Sequence, residues 1–219
     1  MRRNTLWLLP LLGLGLAFFV LGSGPNPGEQ LYTQGAPGIV PCSSCHGVNG
    51  QGSGAAGFPR IAGLNADYIV AQLEAFKYGT RINPLMQGIA KAMSLSQMKA
   101  VAAYLASLPV PQVSKVQASP ALLALGEQIV YHGIRKGYKT WVPRCTACHT
   151  EDLGGIGAVF PAIADQHASY IVAQLEAWQK GLRHNDPEGL MRAVAVQLTP
   201  KEVQAVADYL NNLPAPGGH

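Results

Sequence analysis

The chain repeats itself. Tyr68-Ile69-Val70-Ala71-Gln72-Leu73-Glu74-Ala75 recurs letter for letter as Tyr170 to Ala177, and each copy runs on to a glycine and an arginine, Gly79 and Arg81 in one, Gly181 and Arg183 in the other. A second block, Ala100-Val101-Ala102-x-Tyr104-Leu105-x-x-Leu108-Pro109, returns as Ala205-Val206-Ala207-x-Tyr209-Leu210-x-x-Leu213-Pro214. Self-similarity of this kind means one supersecondary unit built twice. The 219 residues therefore divide into two homologous units, each of roughly 85–95 residues, with length differences confined to loops. The boundaries read as 29–109 for the first unit and 121–214 for the second, with a proline-punctuated linker at 110–120 and a short tail at 215–219.

Both units carry a helical period. Ile69, Leu73 and Phe76, and likewise Ile171, Leu175 and Trp178, recur at i, i+4 and i+7. That spacing predicts one apolar stripe on a helix near 66–78 and near 168–180. Ser94-x-x-Gln97 and Thr199-Pro200-Lys201-Glu202 are capping-box patterns opening a final helix in each unit. Alternating polar and β-branched runs are nearly absent, so the units read as all-α with long irregular connections.

Irregular loops in units this small need something to pack around. The four cysteines supply it. They stand as Cys42-Ser43-Ser44-Cys45-His46 and Cys145-Thr146-Ala147-Cys148-His149, at matching places in the two repeats. Cys-x-x-Cys-His is the attachment sequence of c-type haem. One turn of chain sets two thiols against the vinyl groups of a porphyrin edge, and the next side chain, His46 or His149, reaches the iron. A redox disulfide would not require a histidine after the second cysteine twice. Zinc would need four ligands per site, which no further cysteine or repeated histidine provides. Two covalently bound haem c groups are implied.

The repeat also nominates the opposite iron ligand. Shifted by the register of the last helix, Met86, Met93 and Met98 fall on Met191, Leu198 and Val203. Only Met86 acquires a methionine partner, and Met191 is the sole methionine of the second unit. The metal ligands then read as His46 with Met86 and His149 with Met191, leaving Met93 and Met98 as core filler. His132, His167, His184 and His219 have no first-unit counterparts; they read as exposed loop residues, with His184 a conceivable alternative ligand at the second iron.

The arrangement resembles the class I c-type cytochromes, and the duplication is similar to the dihaem cytochrome c4 group. The likeness spans about residues 29–214 and rests on the Cys-x-x-Cys-His motifs, the Phe-Pro-x-Ile-Ala segments, the Tyr-x-x-x-Gln-Leu helix, the loop methionine and the terminal Ala-x-Tyr-Leu helix. It implies two tandem class I cytochrome c domains packed with their haems edge to edge. It also implies a proline carbonyl, here of Pro59 and Pro161, accepting a hydrogen bond from each proximal imidazole. An extended stretch from Gly133 to Arg144, before the second haem motif, departs from the family pattern. Its basic run of Arg135, Lys136, Lys139 and Arg144, interleaved with Tyr138 and Trp141, reads either as a solvated loop or as a docking patch for an acidic redox partner.

Thioether and imidazole together fill both axial positions, so the expected chemistry is outer-sphere transfer of one electron per haem rather than catalysis. The expected setting is a periplasmic respiratory chain. Electrons would come from a quinol-oxidising complex or a dehydrogenase and leave to a haem-copper terminal oxidase, with the chain a free carrier or a subunit of a complex. The alternative is a dihaem enzyme of the peroxidase or thiosulfate dehydrogenase type. The N-terminus sets the compartment. Arg2 and Arg3 precede an apolar run from Leu6 to Gly22, which reads as an apolar helix over 1–22, either a retained anchor or a removed signal, followed by a linker at 23–28. Either way the remainder faces the periplasm, at the outer side of a bacterial inner membrane if the anchor is kept. Removing those two arginines leaves 14 basic against 12 acidic residues, too balanced a charge for a nucleic-acid partner.

Overall fold

Asparagine, serine, threonine and proline set the helix starts. A computed structural model of the chain describes residues 24, 26–137 and 141–216. The Asn26 side chain accepts from the Gly28 and Glu29 amides to open α1 (Pro27–Gln34), with proline at the first position, where no amide donor is needed. Asn65 caps α3 (Ala66–Tyr78), Asn83 caps α4 (Pro84–Ala92), and Ser94 closes a capping box with Gln97 on α5 (Leu95–Ser107). A one-turn helix, α2 (Ser43–His46), lies between α1 and α3.

The second half follows the same plan: α6 (Pro120–His132), α7 (Thr146–His149), α8 (Ala168–Gln179), α9 (Leu190–Ala195) and α10 (Pro200–Asn212). The Thr199–Glu202 capping box opens α10. The two stripe helices thus form where the apolar period puts them. The all-α expectation needs one correction. The Gly133–Arg144 stretch contains an antiparallel ribbon, β1 (Ile134–Arg135) with β2 (Trp141–Val142), pairing Ile134 with Val142. Gly133 enters it at φ +72°, where a Cβ would stand 2.3 Å from the Val142 carbonyl oxygen, so no other residue fits this turn without moving backbone. Arg135 and Arg144 are exposed, whereas Lys136 is tied to Glu202 and the Gln197 carbonyl. Tyr138, Lys139 and the expected N-terminal helix over 1–22 lie outside the described residues, among which no helix is long and apolar enough to cross a membrane.

Each half has its own core. In the first, α1 crosses α5 so closely that a Cβ on Gly28 would lie 2.1 Å from the Ala100 carbonyl oxygen; in the second, Gly126 of α6 meets Ala205 of α10 at 2.2 Å. Tyr32 and Tyr104 flank the first crossing at 5.6 Å between rings, Tyr131 and Tyr209 the second at 6.1 Å. Met93 and Met98 are buried in the first core, as filler.

The halves are joined by a largely polar seam. The wholly buried Arg60 donates to the carbonyls of Ala62, Asp165 and Ala164, and Gln166 exchanges hydrogen bonds with the Arg60 backbone. The buried Asp165 carboxylate is paired with Lys115 of the connecting segment. His167, expected as an exposed loop residue, is instead buried in this seam with Nε2 donating to the Gln51 carbonyl at 2.9 Å. The reason is tertiary: domain 1's glycine-rich loop folds over it, and Gly54 leaves no room for a Cβ against the imidazole.

Candidate metal centres

Chain direction at each cysteine pair follows from one tight turn. Cys42 and Cys145 precede α2 and α7, and the His46 and His149 amides donate back to their carbonyls at 2.9 and 3.0 Å. This single turn brings both cysteines and the histidine to one side. The chain then leaves through positive φ, by Gly47 in the first half and Thr150 in the second. Thr150 tolerates that conformation because its hydroxyl is anchored by Asp152.

Both imidazoles are buried, at 8% and 6% exposure. His46 Nδ1 lies 3.0 Å from the Pro59 carbonyl oxygen and His149 Nδ1 2.8 Å from that of Pro161. With Nδ1–H donating, Nε2 keeps its lone pair for a metal. Burial pushes both imidazoles below their ordinary pKa, against a smaller upward pull from the proline carbonyls, so they remain in the neutral form that ligates.

One cavity of about 790 Å³ runs between the halves. Its walls include all four cysteines, both histidines, Met86 and Met191, with Pro59 and Pro161 behind the imidazoles. The predicted site residues are therefore brought to one space, in two sets related by the repeat. Met86 is near the start of α4 and Met191 near the start of α9, and each presents a soft sulfur to the cavity that its own half's histidine lines. His184 is exposed and does not line it. Among the described residues no group of three or more His, Cys, Asp or Glu side chains is placed to hold a metal ion. A flat, apolar ring system held at its edge by two thioethers fits these walls.

Between the two sets lies a feature that the sequence displayed without announcing. Tyr68, Gln72 and Phe76 share one face of α3; Tyr170, Gln174 and Trp178 share the matching face of α8. Arg81 donates to Gln72 of its own half and crosses to the Tyr170 hydroxyl and Gln174, both at 2.6 Å. Arg183 donates to Gln174 of its own half and crosses to Gln72 at 2.9 Å and the Tyr68 hydroxyl at 3.2 Å. Arg81 stacks on Phe76 with its guanidinium carbon 4.5 Å from the ring centre, and Arg183 on Trp178 at 4.0 Å. The backbones pair as well, Ile82 donating to Leu182 and His184 to Thr80. Burial and the neighbouring Arg81 charge lower the Arg183 pKa. Burial raises the Tyr68 hydroxyl, but the two guanidiniums outweigh it and hold the phenol below its usual range. The letter-for-letter repetition of Tyr and Gln inside an apolar stripe, followed by a repeated Arg, was the available signal.

The family model for cytochrome c matches residues 26–109 and again 134–214. The chain is 41% identical to a thiosulfate dehydrogenase electron acceptor of Stutzerimonas stutzeri (strain A1501), covering 93% of this chain and 94% of the relative. It is 34% identical to cytochrome c4 of Pseudomonas aeruginosa, covering 96% and 99%. Among solved structures, it superposes on part of a thiosulfate dehydrogenase from Marichromatium purpuratum with a TM-score of 0.78 at 37% identity, over 86% of this chain and 40% of that one. On reduced cytochrome c4 from Pseudomonas stutzeri the TM-score is 0.71 at 30% identity, over 88% and 100%.

Proposed function

Given that the chain belongs to the cytochrome c family and is a dihaem, cytochrome c4-like electron-transfer protein, we propose that it takes electrons from a thiosulfate-oxidising dehydrogenase. In this role it relays them onward and does not itself bind thiosulfate. Bound haem c supplies a one-electron couple, and histidine–methionine ligation raises its potential. The chain's own residues do the rest. The four cysteines would anchor the group, Pro59 and Pro161 orient the imidazoles of His46 and His149, and Met86 and Met191 would each offer it a sulfur. The observation that supports the electron-transfer part of this reading is that the residues nominated as ligands, His46 with Met86 and His149 with Met191, line one cavity. A catalytic role of the peroxidase or thiosulfate dehydrogenase type would need an open position at one of the two groups, whereas a methionine in each half, Met86 and Met191, lines the cavity where it would fill that position.

The donor is inferred from the full-length likeness to thiosulfate dehydrogenase electron acceptors. On this reading the chain works on the periplasmic side of a bacterial inner membrane, held there by its apolar N-terminal segment. Its onward acceptor is a haem-copper oxidase. The test is stopped-flow mixing of the oxidised holoprotein with a thiosulfate dehydrogenase and thiosulfate. Both haem α-bands should reduce within the enzyme's turnover time. The reading fails if ascorbate reduces both haems but the enzyme with thiosulfate reduces neither. Fractionation of the source cells tests the location, which fails if the pigment is in the cytosol.

A further inference from the structure

The two halves make the same turn before their cysteine motifs and finish it differently. Gly35 and Gly133 both enter at positive φ, and a Cβ on either would stand 2.3 Å from a carbonyl oxygen, that of Ile39 or Val142. In the first half Ala36 bridges to Ile39 across two residues, and nothing from Gly35 to Cys42 is charged. In the second, Ile134 pairs with Val142 across seven, and the turn becomes the ribbon of β1 and β2. Val142 is buried and Ile134 packs against the second core. The next opposed pair, Arg135 and Trp141, therefore points the other way, out to water. Both are exposed, Trp141 at 55%. Arg144, also exposed, follows β2 and lines the cavity of the haem ligands, and Cys148 of the adjoining motif is exposed too. The ribbon is fastened by its other cation: Lys136 donates to the Gln197 carbonyl and pairs with Glu202, whose carboxylate also accepts from Thr199. Arg135 and Arg144 make no ion pair among the described residues.

We propose that Arg135, Trp141 and Arg144 form a docking face for an acidic redox protein, set beside the second haem site. The inference rests on the two-haem reading of the sites, not on the identity of the donor. Residues 121–214 carry eight Lys and Arg against nine Asp and Glu, and four of the eight stand between 135 and 144. The positive charge is thus local to the ribbon, in a unit whose balance has the opposite sign. A small cationic face steers an oppositely charged protein into one orientation. Guanidiniums match carboxylates in a two-pronged geometry, and an exposed tryptophan beside them is the usual apolar anchor of a protein contact. Anionic lipid fits less well, because a membrane surface would meet the acidic excess of the same unit along with the ribbon. The first half, with its short uncharged turn, has no equivalent face.

The test uses the full-length holoprotein in non-ionic detergent and photoreduced flavodoxin as the acidic redox protein. At low ionic strength the double variant Arg135→Gln/Arg144→Gln should accept electrons about tenfold more slowly than the parent. The two rates should converge near 1 M salt, where the screening length is about 3 Å. Trp141→Ala should slow the reaction while leaving its salt dependence in place. Photoreduced lumiflavin, small and uncharged, should reduce parent and variants alike, which shows that their haems are intact. Binding is read without electron transfer by titrating the oxidised parent with oxidised flavodoxin, when the Trp141 indole N–H resonance should shift. Lys91→Gln/Lys99→Gln removes the same charge from exposed positions of the first half and should leave the flavodoxin rate within about twofold of the parent. Equal rates for the parent and the ribbon variant at low salt, equal slowing by the first-half pair, or an unmoved Trp141 resonance would overturn the proposal. So would protection of Arg135 and Arg144 from trypsin by phosphatidylglycerol but not phosphatidylcholine vesicles, which would give the face to lipid. No thiosulfate dehydrogenase enters these measurements, so a chain that takes no electrons from that enzyme leaves them readable. A holoprotein that even lumiflavin cannot reduce would put the haem reading itself at fault.

Discussion

A thioether is a soft, neutral ligand, and its loss at one iron is visible separately from the other. Met191→Ala is expected to lower the potential of the second haem and open that iron to carbon monoxide, leaving the first haem's spectrum unchanged; Met86→Ala should do the converse. A carbon monoxide difference spectrum of each variant checks the assignment, and equal responses at both irons would refute it. A carboxylate offers a second measurement at this scale. Glu202 is pushed up by partial burial but held lower, on balance, by Lys136 and by the Thr199 amide and hydroxyl. A depressed folded-state pKa contributes stability above the ordinary carboxylate range and loses it as pH falls through the folded value. Glu202→Gln should therefore flatten the acid limb of the stability curve, with little further change toward neutral pH, as followed by thermal melts across pH. Cysteines, proximal histidines and paired methionines were all legible as letters. His167 was not, because burial of a histidine depends on which loop covers it, and that loop is some 115 positions away in the chain.

Helices in this protein are legible through their caps and stripes, while their mutual approach is set by residues that carry no side chain. Gly28 and Gly126 occupy the closest points of the α1–α5 and α6–α10 crossings. Alanine at either position favours the isolated helix by about 1 kcal/mol, yet its Cβ would overlap a carbonyl oxygen that belongs to the partner helix backbone and has no rotamer to yield. Gly28→Ala is expected to destabilise the first half by about 1–3 kcal/mol, and Gly126→Ala the second by a similar amount, each measurable by denaturant titration of the holoprotein. A variant more stable than the parent would show that the helices slide apart at no cost. The ribbon of β1 and β2 escaped the helical reading for a different reason. Two residues per strand are too few for a period to register, and pairing depends on the turn at Gly133.

At the scale of the whole molecule, the question is whether two repeats behave as one body. Arg60 of the first half bonds three carbonyls, two of them in the second, and Gln166 answers it. Charge-assisted bonds of this kind are individually strong, and removing the charge strands the carbonyls it served. Arg60→Met should cost about 3 kcal/mol and split thermal unfolding into two calorimetric transitions. A single, undisplaced transition would mean that the other seam contacts suffice. The linker's Lys115, bonded to Asp165 and to the Asn211 and Leu213 carbonyls, fastens the connection from the other side.

The amino-acid sequence alone determined the duplication, the predominantly helical class and two covalent haems, and it nominated both ligand pairs. Each of these depends on short-range order along the chain: a period of 3.6, a five-residue motif, a methionine at the same register in both copies. Tertiary structure decided what lies between the copies. Arg81 reaching Tyr170, Arg183 reaching Tyr68 and His167 under a glycine loop all join residues distant in the chain. Their partners follow from how two finished units pack, because burial and hydrogen bonding between units are properties of the shared surface and leave no spacing in either strand of letters.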